Sequence, residues 1–188
     1  MAKKAQSTLI NMLLSLTIIA VVAAAALAFV SYVTAEPIAQ AQKAKKEAAV
    51  KAVLPAFDKL EEAVVDGVAC TKAYNSNGDL VGLAVESSTE KGFGGHLGAM
   101  VGFDAEGNIT GYQILETAET PGLGAKAGEW FQKGSKGDVI GMNPAEGLKV
   151  KKDGGQVDAI SGSTITSRAF CELINNAYEI FQKGGLEQ

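Results

Sequence analysis

The segment Ser161-Gly162-Ser163-Thr164-Ile165-Thr166-Ser167 places five hydroxyl side chains in seven positions, just before an amphipathic stretch near the C-terminus. Two kinds of chemistry suit such a run. A serine or threonine at a helix start accepts from the unpaired N–H groups of the first turn and so acts as an N-cap. The same N–H groups, with the positive end of the helix dipole among them, also bind phosphate. Gly162 permits the tight turn that either use needs. Local sequence leaves both open, the cap being the commoner use.

Two other glycine-rich segments offer exposed backbone. In Glu119-Thr120-Pro121-Gly122-Leu123-Gly124 a proline and two glycines fix a loop that a flat ring could approach closely, and Leu123 adds an apolar contact. Taken alone, it reads as a turn. Lys91-Gly92-Phe93-Gly94-Gly95-His96 has an aromatic at its centre. Catalytic patterns are thin by comparison. His96 is the single histidine, no serine or cysteine sits in an elbow motif for it to activate, and a phosphate-binding GxxxxGK[ST] is missing. No spacing of His or Cys suits a metal, so no metal site is expected. Cys70 and Cys171 lie far apart in sequence. Buried free thiols are the default reading, and a disulfide the alternative in an exported domain.

The elements that must position these loops begin with an anchor. From Met12 to Val33 the chain carries no charge, and a helix of that length reaches roughly 33 Å, enough to cross a bilayer. Residues 1–35 are therefore read as a membrane anchor with a transmembrane helix over about 10–33. Val33-Thr34-Ala35 resembles a signal-peptide cleavage site, but the apolar run is about twice the usual length of a signal core, which favours an uncleaved anchor. Lys3 and Lys4 precede the span while Lys43, Lys45, Lys46 and Lys51 follow it. That count leans against export of the C-terminal part and leaves the orientation open. Residues 36–56, rich in Ala, Lys, Glu and Gln and stopped at Pro55, read as a stalk helix. The net charge of -4 and sequence pI near 5.1 argue against nucleic acid as a partner.

Residues 57–188 read as one domain. VVDGVACTKAY and LVGLAVES are strand-like runs joined by the turn signal NSNG, and HLGAMVGFD and NITGYQIL form a second pair around AEGN, where Gly107 and Asn108 suit positive φ. A short helical piece is expected around Trp130, strands near GLKVKK and QVDAI, and a turn at Asp153 to Gly155. The final helix carries Ile165, Phe170, Leu173, Ile174, Ala177 and Phe181 largely on one face, with Gly184 and Gly185 as stop signals. The class is α+β, an antiparallel sheet with packed helices behind a transmembrane helix and stalk.

Taken together, ETPGLG, GFGG and DAISGSTITS on a tethered sheet domain closely resemble the flavin-binding domain shared by the G subunit of the Rnf electron-transport complex and the C subunit of the sodium-translocating NADH:quinone reductase. The likeness covers nearly the whole chain, and its simple architecture is nearer to the Rnf protein. The resemblance implies FMN held by a phosphoester from its ribityl phosphate to the threonine that closes an S/T-G-A-T type motif. Here the motif is Ser161-Gly162-Ser163-Thr164, with Ser163 where alanine is commoner, so the attachment falls on Thr164 with Thr166 the next candidate. It also implies that Glu119, Thr120, Pro121, Gly122, Leu123 and Gly124 line the isoalloxazine ring, with Gly94 and Gly95 near it. Asp158 could place a metal during transfer or simply end the strand.

The function implied is that of a membrane-anchored electron carrier with no catalytic acid, base or nucleophile of its own, in an Rnf-type complex coupling electron transfer between ferredoxin and NAD to ion translocation. Other membrane subunits and a flavin transferase are the partners implied, with the soluble domain outside the cytoplasmic membrane. No Rossmann fingerprint follows a strand, so the chain is not expected to bind NAD itself. The alternatives are the matching subunit of a quinone reductase, a membrane regulator with the same domain, and a pilin-like structural protein. The last lacks the three glycine-rich loops, and Glu36 follows the apolar run here, whereas a pilin carries its acidic residue near the start.

Overall fold

The computed structural model describes residues 8–185 and divides into two units, Met1–Ala44 and Lys45–Gln188. Lys3 and Lys4, used in the charge count, lie outside the described residues. The first helix, α1, is Leu9–Val53. Every residue from Leu9 to Val33 is exposed among the described residues, including the apolar Leu13, Ile19, Val22 and Phe29. Several of the helix hydroxyls bond to the preceding turn: Ser15 donates to the Met12 carbonyl at 3.1 Å, Thr17 to the Leu13 carbonyl at 2.9 Å and Thr34 to the Val30 carbonyl at 2.9 Å. That arrangement suits hydrocarbon, where no water is available for a spare polar group. The helix continues through Pro37, at which one backbone donor is missing.

In the second unit five strands form one antiparallel sheet in chain order: β1 Lys59–Val65, β2 Val68–Tyr74, β3 Leu80–Gly92, β4 Gly95–Asp104 and β5 Ile109–Thr117. VVDGVACTKAY, expected as one strand, is a hairpin. Asp66 and Gly67 both take positive φ, 51° and 79°, which joins β1 to β2 by a tight turn matched to strand twist. NSNG does turn the chain between β2 and β3, where the Asn75 side chain accepts from the backbone N–H groups of Asn77 and Asp79, both at 2.9 Å. In the β4–β5 turn Gly107 has positive φ but Asn108 does not. Its N–H instead donates to the Asp104 carboxylate at 2.8 Å, which closes the turn without a left-handed residue there.

The central strands are buried on both faces. On β3, Leu83 and Val85 face one core while Ala84 faces the other; on β4, Leu97, Ala99, Val101 and Phe103 alternate with Met100 in the same way. The last helix, α3 (Thr164–Gly185), covers the first face. Phe170, Leu173, Ile174, Ala177 and Phe181 are buried there as expected, whereas Ile165 is exposed. Phe103 meets Tyr178 edge-on at 5.8 Å and Phe181 at 5.2 Å, and Ser87 donates to the Leu173 carbonyl at 2.9 Å. α3 ends at Gly185, the last described residue, so both glycines lie in its final turn. Gly184 also allows close packing on β1, since a Cβ there would come within 2.6 Å of Val65.

The opposite face is covered by the end of α1, so the compact unit begins at Lys45, within the segment read as a stalk. Ala49, Val50, Val53 and Leu54 pack on Ala73, Ala84, Met100 and Leu115. Thr110 donates to the Val53 carbonyl, one of the acceptors a helix end leaves free, and Lys45 donates to the Leu115 carbonyl. Small residues on the sheet make the approach possible: a Cβ on Gly102 would stand 2.1 Å from the Val53 carbonyl oxygen.

Between β5 and α3 the chain is largely irregular, with one short helix, α2 (Ala127–Trp130). The strands expected near GLKVKK and QVDAI reduce to one parallel bridge, Val150 to Val157. Both valines are buried like strand residues, but a single 3-10 turn over Lys151–Asp153 and a left-handed Gly154 lie between them and end the ladder. From α3, Asn175 accepts from the Leu148 N–H at 2.7 Å and donates to its carbonyl at 3.1 Å, pinning this segment to the core. Phe131 stacks on Phe170 at 4.2 Å with an interplanar angle of 7°.

Two outcomes test this packing. Gly102→Ala is expected to destabilise the full chain in detergent by about 1–3 kcal/mol in denaturant titration, because backbone must move. Gly128→Ala, where the added carbon meets nothing closer than 3.9 Å, should stay within about 1 kcal/mol of wild type. Cys70 and Cys171 are free and buried, and burial raises both thiols, Cys171 up to about 12. Neither should react with maleimide in the folded protein at mildly alkaline pH, and both should react after unfolding.

Candidate functional site

The three glycine-rich segments meet at one cleft of about 350 Å³, near the lower end of the range for small-molecule pockets. GFGG forms the tip of the β3–β4 hairpin, ETPGLG follows β5, and SGSTITS leads into α3. The hairpin contributes Phe93, which is 70% exposed and lines the cleft. Gly94 lies against the neighbouring loop, where a Cβ would stand 2.1 Å from the Ala118 carbonyl oxygen. Gly94 and Gly95 thus shape the tip without lining the cleft themselves. From the second loop Glu119, Thr120, Leu123 and Gly124 line it, while Pro121 and Gly122 do not.

The hydroxyls of SGSTITS separate into distinct roles. Ser167 is fully buried; its oxygen accepts from the Ile160 N–H at 2.9 Å and donates to the Ser163 carbonyl at 2.9 Å, which ties the turn to the helix. Gly162 makes that turn with φ of 80°. Ser161 is exposed and outside the cleft lining, whereas Gly162 and Ser163 are part of it. Thr164 is the first residue of α3, half-buried on the cleft wall. Thr166, also on the wall, is 0% exposed and its hydroxyl has no partner.

Thr164 receives a cation that local sequence did not reveal. Lys152 lines the cleft and its Nζ donates to Thr164 Oγ1 at 3.1 Å. The neighbouring residue holds it in place: Arg168, one turn into α3, donates from Nε and a terminal nitrogen to the two Asp153 carboxylate oxygens, each at 2.7 Å. The first turn of α3 contains no acidic residue, so its free N–H groups and the Lys152 ammonium leave a positive field beside Thr164. Asp158 stands apart. Its carboxylate pairs with Lys151 at 2.6 Å, its carbonyl accepts from Trp130 at 2.9 Å, and it does not line the cleft. Among the described residues no group of His, Cys, Asp or Glu could hold a metal ion.

Of the residues that sequence reasoning left out, Phe93 had a visible signal, an aromatic among glycines. Ile165, expected in the core, is 49% exposed and on the cleft wall. Lys152 had none, because an irregular segment separates it from Thr164.

Positive charge beside a hydroxyl at a helix start, together with the apolar side chains of Phe93, Leu123 and Ile165, makes a cleft whose chemistry suits a small ligand with an anionic group and an apolar body. Residues 92–179 match the model of the FMN-binding domain. The chain is 33% identical over 190 residues to the G subunit of the Na(+)-translocating ferredoxin:NAD(+) oxidoreductase complex of Acetobacterium woodii, covering 90% of this chain and 89% of that one. It is 32% identical to the G subunit of the ion-translocating oxidoreductase complex of Methanosarcina acetivorans, over 90% of this chain and 92% of that one. Among solved structures, the C subunit of the Na(+)-translocating NADH-quinone reductase from Parabacteroides distasonis aligns over 64% of each chain at 25% identity and a TM-score of 0.43. The chain belongs to the family of G subunits of the ion-translocating oxidoreductase complexes.

The Asp153–Arg168 fork gives the test of this geometry. Hydrogen bonds from Arg168, ahead of its charge and those of Lys149 and Lys152, hold the Asp153 carboxyl below the usual carboxylate range. A depressed carboxyl contributes to stability above its unfolded value near 3.9 and loses that contribution as pH falls through the folded value. In Arg168→Gln the Asp153 midpoint, read by carbon NMR, should rise towards the ordinary value; an unmoved midpoint would show that the fork does not form.

Proposed function

We propose that this chain is a membrane-anchored electron-transfer protein that carries FMN covalently, through a phosphoester to Thr164 Oγ1, within a complex that couples electron transfer between ferredoxin and NAD to ion translocation. The observation that carries the reading is the Thr164 hydroxyl itself, on the wall of the cleft and 3.1 Å from the Lys152 ammonium. Its rival is poorly placed. Thr166 is 0% exposed whereas Thr164 is half-buried, so Thr164 is the more open of the two to a modifying enzyme, which supports it as the acceptor.

The residues present fit the group. A phosphodiester keeps a negative charge, and Lys152 with the N-terminal amides of α3 would hold it. Phe93, Leu123 and Ile165 offer apolar surface to the ring and keep water from it. The buried and unpartnered Glu119 Oε1 and Thr166 Oγ1 have hydrogen-bonding capacity that a ligand could use. When bound, FMN supplies the redox chemistry, and the protein supplies position and electrostatics. No acid, base or nucleophile on the chain is needed beyond the acceptor hydroxyl. Asp158, held by Lys151 away from the cleft, supports a structural role over metal placement.

A covalent link keeps the cofactor from being lost in an open aqueous compartment, which supports a domain on the outer side of the cytoplasmic membrane. The partners are the other membrane subunits of the complex and, during maturation, a flavin transferase. The test is made with the transferase coexpressed. After denaturing electrophoresis the wild-type band should fluoresce under blue light, Thr164→Ala should be dark, and Lys152→Gln should carry several-fold less flavin. A dark wild type or a fluorescent Thr164→Ala band would overturn the assignment.

A further inference from the structure

Among the described residues, two buried side-chain polar atoms have no hydrogen-bond partner, Glu119 Oε1 and Thr166 Oγ1. They belong to different elements and both line the cleft. They are also neighbours: a Cβ built on Gly124 would stand 2.2 Å from Glu119 Oε2 and 2.7 Å from Thr166 Oγ1. On its other side the carboxyl lies close to Gly92, where a Cβ would come within 2.6 Å of Oε1. Two glycines therefore leave room for an acid and a hydroxyl that find nothing to bond within the protein. Buried polar groups are almost always paired, so two orphan atoms on neighbouring side chains that line one cleft point to a ligand as their partner.

The charges give the ligand a direction. Of the residues lining the cleft, Glu119 and Lys152 are the titratable ones, and Lys152 is beside Thr164. The phosphate end of a ligand belongs with the cation; the end that meets Glu119 must present a donor. The oxidised isoalloxazine ring has one N–H, at N3, flanked by two carbonyl groups. An acceptor with a hydroxyl donor next to it complements that edge, as paired donors and acceptors read the edge of a base.

Resting on the reading that FMN occupies this cleft, we propose that Glu119 and Thr166 hold the imide edge of its ring, the Glu119 carboxyl accepting from N3–H and the Thr166 hydroxyl donating to an adjacent carbonyl. They are positioning residues for the cofactor. They also act on its N3 proton in opposite senses: an acidic acceptor holds the proton on N3, whereas a donor to the carbonyl stabilises the ring once the proton has left.

The experiment follows flavin absorbance through the alkaline titration of N3–H in the full chain carrying FMN. Glu119→Gln should lower the proton affinity of N3 roughly tenfold and Thr166→Val should raise it roughly threefold. Thr166→Ser, which keeps the hydroxyl, should titrate like wild type and serves if the valine variant does not fold. Titrations that stay unmoved, or that shift in the same direction in Glu119→Gln and Thr166→Val, would overturn the pairing. Gel fluorescence keeps the two readings apart. A dark wild-type band sinks the covalent link alone, because the same titration then applies to FMN bound without it.

Discussion

The packing of α3 on the β3–β4 face is the interaction on which the rest depends. Phe170, Leu173, Ile174, Ala177 and Phe181 commit one side of the helix to the core, and that fixes where its first turn falls. Thr164 therefore comes to stand near the hairpin tip of the same two strands, and the loop after β5 closes the third side. Burying each of Phe170, Leu173, Ile174 and Phe181 is worth about 1.5–3 kcal/mol. The position of the site is thus held by the core, with no need for a rigid loop.

The other face of the sheet serves a different end. Small residues on β3, β4 and β5 accept the last turns of α1, so Ala49, Val50, Val53 and Leu54 become part of the domain's second core. The burial of β3 and β4 on both sides follows from this. Their alternation is between two cores, not between core and water, which is why the sequence there reads as nearly continuous small and apolar residues.

The site is divided by charge. Lys152 beside Thr164 favours an anion, Glu119 in the same cleft favours a donor, and Phe93, Leu123 and Ile165 add apolar surface. Residues 92–179, which carry all of these groups, match the FMN-binding domain. Stacking of Phe131 on Phe170 and the Asp153–Arg168 fork hold the irregular segment from which Lys152 reaches Thr164.

Features set by neighbours in the chain were legible in the sequence: the uncharged span, the Asn75 and Gly107 turns, the amphipathic face of α3 and the three glycine-rich loops. Turn chemistry, side-chain period and lack of charge are local properties, and the resemblance rested on local motifs. Where local signals conflicted, the sequence misled. Val150 and Val157 looked like strand residues because they are buried, yet they form only one bridge. Tertiary structure alone decided that α1 covers the second face of the sheet, that Lys152 reaches Thr164, and that Glu119 and Thr166 are left side by side without partners. Each of these depends on groups distant in sequence being brought together by the burial of other residues, and no local pattern records such a meeting.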